Sequence, residues 1–420
     1  MGTGKKRQIG RATPALELPA SPELVKRHWE AKTDGVGGRR AKEGFDYEAY
    51  VPRSIAKLDP LLEASLAEAI AAADQACREL NEDPPALVSL EALARQLLRA
   101  EAVASSRIEN LIVSHRKLAQ AFFEPGHHDT ASEVVANVRA TERAIELASS
   151  ENELTLETLI EIHHILFTGT SSEHLAGVIR DKQNWIGGTL PNPRDADFIP
   201  PPEEYVEPAL EDLLAFMNRD DLPATLQAAI THAQFETIHP FADGNGRVGR
   251  TLIHVILRRR GIAPRYVPPV SLVLAGRADD YVKGLTAYRK GQEEVWYETF
   301  SEAVEISARK AREFADRVAE LQEQWFEQAG RPRPQAAARK LIAALPGHPV
   351  VDVGTVQELT GAASQETARQ AINRLVEAGV LRQVGSDKKR NRLWESVGLF
   401  DLLDSFEREL APTGQAPPGT

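Results

Sequence analysis

The sequence predicts a mainly α-helical protein: a helical bundle with a small β-hairpin, followed by a separate C-terminal unit of three helices and a two-stranded ribbon. Three observations lead there. Apolar residues recur at helical spacing through most of the chain, as in Leu58, Leu61, Leu62, Leu66 and Ile70, or Leu90, Leu93, Leu97 and Leu98. One stretch, 177–199, breaks that habit with β-prone pairs and glycines. Arg331-Pro-Arg-Pro334 then interrupts the helical pattern, and capping and ribbon signals of a different kind follow it.

Composition narrows the class. A chain of 420 residues is long for one core, so several domains are expected. Its 42% hydrophobic and 26% charged residues are those of an ordinary globular protein rather than a disordered or fibrous one. A net charge of −11 argues against broad binding to nucleic acid or anionic membranes. The single cysteine, Cys77, excludes an intrachain disulfide and a cysteine metal cluster. No apolar run approaches the roughly 20 residues that span a bilayer. Met1–Arg7 is basic but lacks an apolar segment after it, so no membrane partner and a cytoplasmic location are expected.

In chain order, residues 1–45 lack a sustained period and are expected to form a partly disordered arm. Residues 46–125 form an N-terminal helical region, with helices over 58–80 and 87–110. Ser105 and Glu109, at the end of the second, lie four apart and so share a helix face. A core over 126–330 follows, with helices at 130–149, 155–168, 206–218, 226–238, 251–260, 281–288 and 294–327, and an irregular 268–274. His127-His128 and His163-His164 are adjacent pairs, not the i, i+4 spacing that grips zinc. Val178-Ile179 and Trp185-Ile186, followed by Gly187-Gly188 and Phe198-Ile199, predict a small hairpin.

The chemistry concentrates in His239-Pro-Phe-Ala-Asp-Gly-Asn-Gly-Arg-Val-Gly-Arg250, between two helical runs. Pro240 disfavours helix before it, and Gly244-Asn245-Gly246 can take angles closed to most residues. The resulting turn and the helix after it expose amides with no intrahelical partner, a ready anion site. Arg247 and Arg250 sit three apart on the first turn, where cations oppose the helix dipole unless a strong anion lies between them. Asp243 offers one oxygen ligand of the kind suited to Mg²⁺ that keeps its waters and shares phosphate oxygens. His239 enters just before the turn, placed to act as a general base. Together these residues point to phosphoryl or nucleotidyl transfer.

This string resembles the signature of the Fic family, His-Pro-Phe-x-(Asp/Glu)-Gly-Asn-Gly-Arg-x-x-Arg, at every defined position. The resemblance, which spans roughly residues 45–325, implies an enzyme that moves AMP from ATP onto a protein hydroxyl. His239 would deprotonate a target Ser, Thr or Tyr, and Asp243 would hold Mg²⁺. Gly244, Asn245 and Gly246 would bind the α- and β-phosphates, and Arg247 and Arg250 the β- and γ-phosphates. Ser105-Ser-Arg-Ile-Glu109-Asn110 is similar to the family's inhibitory motif, (Ser/Thr)-x-x-x-Glu-(Gly/Asn). It implies that Glu109 pairs with Arg250 and occupies the γ-phosphate space. The segment with Trp185, Ile186, Gly187 and Gly188 would be the family's flap, whose edge receives an extended target segment.

Residues 331–400 resemble a winged helix: helices at 336–345, from a Thr355-Val-Gln-Glu358 capping box, and around Ala368–Val376, then a ribbon with a basic tip at Lys388–Arg392. Gln365, Thr367, Arg369 and Gln370 are candidates to face a DNA groove, with docking to protein or dimerisation as the other uses. Residues 401–420 are expected to be a tail. Self-modification within a homo-oligomer fits this reading. Three alternatives stay open: the same site removing AMP, with Glu109 orienting a water, or moving another phosphate group; a DNA-binding regulator whose core senses nucleotide; and a catalytically silent scaffold, which the presence of His239 disfavours.

Overall fold

The computed structural model describes residues 16–31, 43–82, 90–123, 129–150, 153–384 and 392–410. The His127-His128 pair, positions 388–391 of the basic tip and the 411–420 end lie outside them. The described chain is mainly helical, as the sequence predicts.

The bundle is built around α7 (Ala224–Ile238), every residue of which is buried. A helix enclosed on all sides must satisfy its polar groups internally. Gln227 donates to the Phe216 and Arg219 carbonyls, and Thr237 to Ala233 O. From the long helix α11 (Glu293–Gln328), Trp296 donates to Ala229 O at 2.8 Å. Around α7 pack α1 (Ala64–Glu82), α6 (Val206–Met217), α8 (Asn245–Arg259) and α10 (Ala278–Arg289). Helices α2 (Leu90–Ile108), α3 (His115–Ala121), α4 (Thr130–Ser150), α5 (Leu156–Phe167) and α9 (Val270–Gly276) complete the bundle. The enclosure of α7 fixes its C-terminal end, where the motif begins.

Several expectations change. Helix α1 starts at Ala64, not Leu58: Pro60 disfavours helix before it, and Leu61 is fully exposed. The irregular 268–274 holds α9. Residues within the expected arm pair instead. Strand β1 (Glu23–Trp29) lies antiparallel to β2 (Phe45–Val51), from Glu23 opposite Val51 to Trp29 opposite Phe45. Phe45, Tyr47, Ala49 and Val51 turn inward at period two, which seats the hairpin on the bundle.

The C-terminal unit has α12 (Ala337–Ala344), β3 (Val350–Val351), α13 (Val353–Thr360), α14 (Gln365–Glu377), β4 (Leu381–Val384) and β5 (Leu393–Ser396). The expected ribbon β4–β5 gains β3 as a third strand, in the order β3-β5-β4. The second helix is capped by Asp352, whose carboxylate accepts Thr355 N at 2.7 Å, rather than by Thr355. Gln365, Thr367, Arg369 and Gln370 are all exposed on α14. The expected tail begins instead as α15 (Leu399–Leu410), which buries Leu399, Phe400, Leu403, Phe406 and Leu410. This unit is fastened to the bundle along α2 and α3. Gln96 donates to Pro346 O and Arg99 to Gly347 O, Arg116 pairs with Glu395, and Glu407 holds both Arg107 and His115 at 2.8 Å.

Candidate active site

His239 caps α7 in the left-handed region, at φ 50° and ψ 59°. A side-chain-bearing residue costs roughly 1–2 kcal/mol there, and a set of donors to nearby carbonyls holds it. Arg180 Nε donates to His239 O at 2.9 Å, and its Nη2 to Ile238 O and Pro201 O at 3.3 and 2.6 Å. Asn184 Nδ2 donates to His239 O and Phe241 O at 3.1 and 3.0 Å. Phe241 is buried, stacked on His163 with centroids 3.7 Å apart. Asn245 then clamps the Phe241 backbone from both sides, accepting from its N and donating to its O, each at 2.9 Å. The Asn245 side chain thus shapes the turn, which leaves its backbone amide for an anion.

His163 sets the other flank. It accepts Gly177 N on Nδ1 at 2.9 Å, so Nε2 carries the hydrogen and donates to Asp243 O at 3.1 Å. Burial pushes its pKa down to about 4, consistent with this neutral form. Gly244 opens α8 at φ 78°, and a Cβ there would lie 2.7 Å from Phe167 Cε2, so both backbone angle and close approach require glycine. Val248 is the first to bond back, to Gly244 O at 3.0 Å, so the amides of residues 245–247 precede the helical ladder.

Glu109 sits over this turn. A Cβ on Gly246 would lie 1.9 Å from Glu109 Oε1, and Arg250 Nη2 donates to that same oxygen at 2.9 Å. Arg250 is 1% exposed and is also held by Ser105, through Oγ at 3.0 Å and O at 2.8 Å. Burial would lower the Arg250 pKa, but the Glu109 carboxylate reverses this and raises it. Burial raises Glu109 in turn, and Arg250 with Arg247 outweighs it, so Glu109 stays ionised at neutral pH. Asn110 follows at φ 61°, turning the chain away. Below this contact the pairing continues, with Glu101 against His254 at 2.9 Å. Glu101, Ser105 and Glu109 on α2 and its end thus match Arg250 and His254 on α8 at four-residue steps.

Arg247 is buried against the Phe167 ring at 5.2 Å, 3.9 Å from Asp243. Asp243 accepts Gly244 N and leaves 58% of its side chain exposed. Among the described residues no three His, Cys, Asp or Glu converge as a metal cluster. A lone exposed carboxylate beside an anion turn fits Mg²⁺ that takes its other ligands from phosphate and water.

The segment expected to form a hairpin flap, 177–199, is slighter than a hairpin. Ile186 and Phe198 form one bridge, N to O at 2.9 and 3.2 Å, and Gly187 at φ 73° packs against Asp197. It leans on the β1–β2 hairpin: Trp29 meets Trp185 edge-on at 5.6 Å, and Tyr50 N donates to Ile199 O at 3.0 Å. Gly188 turns at φ 78° above Asp195, which caps Thr189.

Sequence reasoning missed Arg180, Asn184 and Glu236, and reached His163 only as one of an adjacent pair without zinc spacing. Glu236 is 6% exposed, with Oε2 3.8 Å from His239 Nδ1 and Oε1 lacking a hydrogen-bond partner among the described residues. Burial raises its pKa to about 7. The His239 pKa is driven down to about 3, first by burial and then by Arg289 and Arg180.

Residues 153–257 match the model of the Fic/DOC family, and residues 67–146 that of the Fic/DOC family N-terminal region. The chain is 32% identical over 139 residues to protein adenylyltransferase fic-1 of Caenorhabditis elegans, covering 32% of this chain and 24% of that protein. It is 31% identical over 183 residues to the probable protein adenylyltransferase aq_aa38 of Aquifex aeolicus (strain VF5), covering 42% and 52%. The chain therefore spans between about a quarter and a half of the length of these relatives. A Fic family protein from Desulfovibrio desulfuricans G20 superposes with TM-score 0.49 at 23% identity, over 81% of this chain and 98% of that one. The chain thus carries a Fic domain at residues 153–257, preceded by a Fic N-terminal region at residues 67–146.

Proposed function

We propose that this chain is a self-inhibited protein adenylyltransferase that moves AMP from ATP to a Ser, Thr or Tyr hydroxyl of a protein. One observation carries the reading: Glu109, a carboxylate, lies over the Gly246 turn and on Arg250. An anion held from within marks the place where a stronger anion binds. The adenylyltransferase names of the relatives support the same chemistry.

ATP phosphates sit on the turn formed by Gly244, Asn245 and Gly246, against the amides that precede the helical ladder, and on the guanidinium groups of Arg247 and Arg250. The triphosphate displaces Glu109 in doing so. Asp243 would hold Mg²⁺, which neutralises charge on the phosphates. An extended target segment lies along the flap at Trp185 to Gly188. His239 Nε2 takes the proton of the target hydroxyl, and that oxygen bonds to the α-phosphorus. The bond from the α-phosphorus to the β-phosphate bridging oxygen breaks, and pyrophosphate leaves. Catalysis is positioning plus charge stabilisation.

The test uses ATP labelled at the α- or the γ-phosphate, with the wild type, Glu109→Gly and Glu109→Gly/His239→Ala. The reading expects α-label on protein, strongest for Glu109→Gly and absent from the double variant. Label from the γ-position alone would replace AMP transfer with phosphoryl transfer.

A further inference from the structure

We propose that Glu236 is the positioning partner of His239: its carboxylate accepts the Nδ1 hydrogen and stabilises the imidazolium formed when Nε2 takes the target's proton. The inference rests on the transferase reading above and assigns a role to a residue three positions before the base.

Geometry comes first. The left-handed backbone of His239 turns its ring back over α7, bringing Nδ1 to 3.8 Å from Glu236 Oε2. Catalytic hydrogen bonds are often long without substrate and tighten in the complex. Closing this one needs a movement of about 1 Å to reach hydrogen-bond distance. Glu236 is also costly to keep. It is 6% exposed, and Oε1 has no hydrogen-bond partner among the described residues. A buried carboxylate without full pairing is expensive, and an apolar side chain would pack the same space. The opposing helix makes room for it: a Cβ at Gly249 of α8 would lie 2.9 Å from Oε1.

The surroundings say why the base needs it. Arg289 and Arg180 both depress His239, and Glu109 is among the groups that lift it. ATP displaces Glu109, so the bound state loses that support. Facing Glu236 are His239 and His232 from its own helix, Arg250 from α8, Arg289 and Tyr281 from α10, and Glu109 from the end of α2. Glu236 is then the remaining carboxylate of this set. In the step itself the hydroxyl proton goes to Nε2, the oxygen–phosphorus bond forms and pyrophosphate departs. The Nδ1 hydrogen stays on the ring, so no proton passes to Glu236. The Glu236 backbone carbonyl also faces the ring, and the test separates the two.

Glu236→Gln keeps shape and carbonyl and removes only the charge. In the Glu109→Gly background it is expected to lower kcat for AMP transfer about 10- to 100-fold while MgATP affinity stays within about twofold. The parent's kcat/KM should fall on the acid side as Glu236 protonates, at or somewhat below pH 7 because Glu109 no longer raises it. That limb should vanish in Glu236→Gln. Equal kcat and an identical pH profile would overturn the proposal. A second readout does not need turnover: in the chain with Glu109 intact, the ¹⁵N shift of His239 Nδ1 should move as pH rises through about 7. It should not move in Glu236→Gln. If no variant transfers AMP, the transferase reading fails on its own, and the shift still decides whether the carboxylate and ring are coupled. An Nδ1 shift that is the same in both proteins overturns the pairing.

Discussion

Removing the Glu109 carboxylate is expected to tighten MgATP binding about tenfold. The contact to be displaced is one charge-assisted hydrogen bond of 2.9 Å between Glu109 and Arg250. Such bonds are worth roughly 1.5–3 kcal/mol net. The Glu109 side chain is 39% exposed, so water screening places this one near the lower end, about 1.5 kcal/mol. Since about 1.4 kcal/mol is a factor of ten, the unblocked conformer is roughly a tenth of the population. Abolishing the block removes that factor from the apparent Kd. Arg250, 1% exposed, meanwhile loses its carboxylate partner and keeps the neutral Ser105 and Tyr281, so the variant without ATP should melt a few degrees lower and recover when ATP binds. Titration calorimetry on His239→Ala proteins, with and without Glu109→Gly, measures the affinity free of turnover. A Kd unchanged within about twofold would refute the assignment of Glu109 as the competing anion.

Three more outcomes follow from the same geometry. Asn245→Ala takes the acceptor from the buried Phe241 N–H, at about 1–3 kcal/mol, while Asn184 still donates to Phe241 O; thermal denaturation checks this, and an unchanged Tm would contradict it. Arg180→Lys keeps the charge but loses the fork that holds His239, Ile238 and Pro201 carbonyls, so kcat should drop and amides across 180–199 should exchange faster. Glu407 is raised by burial, but His115 and Arg107 outweigh this and hold it at about 2. A depressed carboxyl contributes fully above its ordinary value near 4.5, and that contribution is lost as pH falls toward 2. Docking of α15 should therefore weaken across that window, read by fluorescence of Trp325, whose indole bonds Val397 O. Glu407→Gln should weaken it already at neutral pH and, through Arg107 two residues before Glu109, raise AMP transfer.

What could be read from the sequence was local. His239 to Arg250 lie within twelve residues, so proline, glycines and arginine spacing report the turn directly. Glu109 and Arg250 are 141 positions apart, and only family resemblance joined them. Glu236 escaped notice because α7 is buried all round: with no exposed face, periodicity cannot separate its working polar residues from its packing ones. The β1 strand was hidden by Lys26-Arg27-His28, which blurs its alternation, and its support comes from Trp185, far along the chain. In α15 the apolar spacing of Leu399, Leu403, Phe406 and Leu410 was legible, and proximity to a Pro/Gly-rich end obscured it. Leu58 to Leu62 erred the other way, mimicking a helix start that Pro60 prevents.

The most direct measurement is intact mass after incubation with MgATP and lysate protein, comparing wild type, Glu109→Gly and Glu109→Gly/His239→Ala. The account predicts a mass gain of one AMP on a target or on the chain itself, fastest for Glu109→Gly, slow for wild type and absent from the double variant. A Glu109→Gly protein that binds MgATP yet leaves every mass unchanged would contradict it.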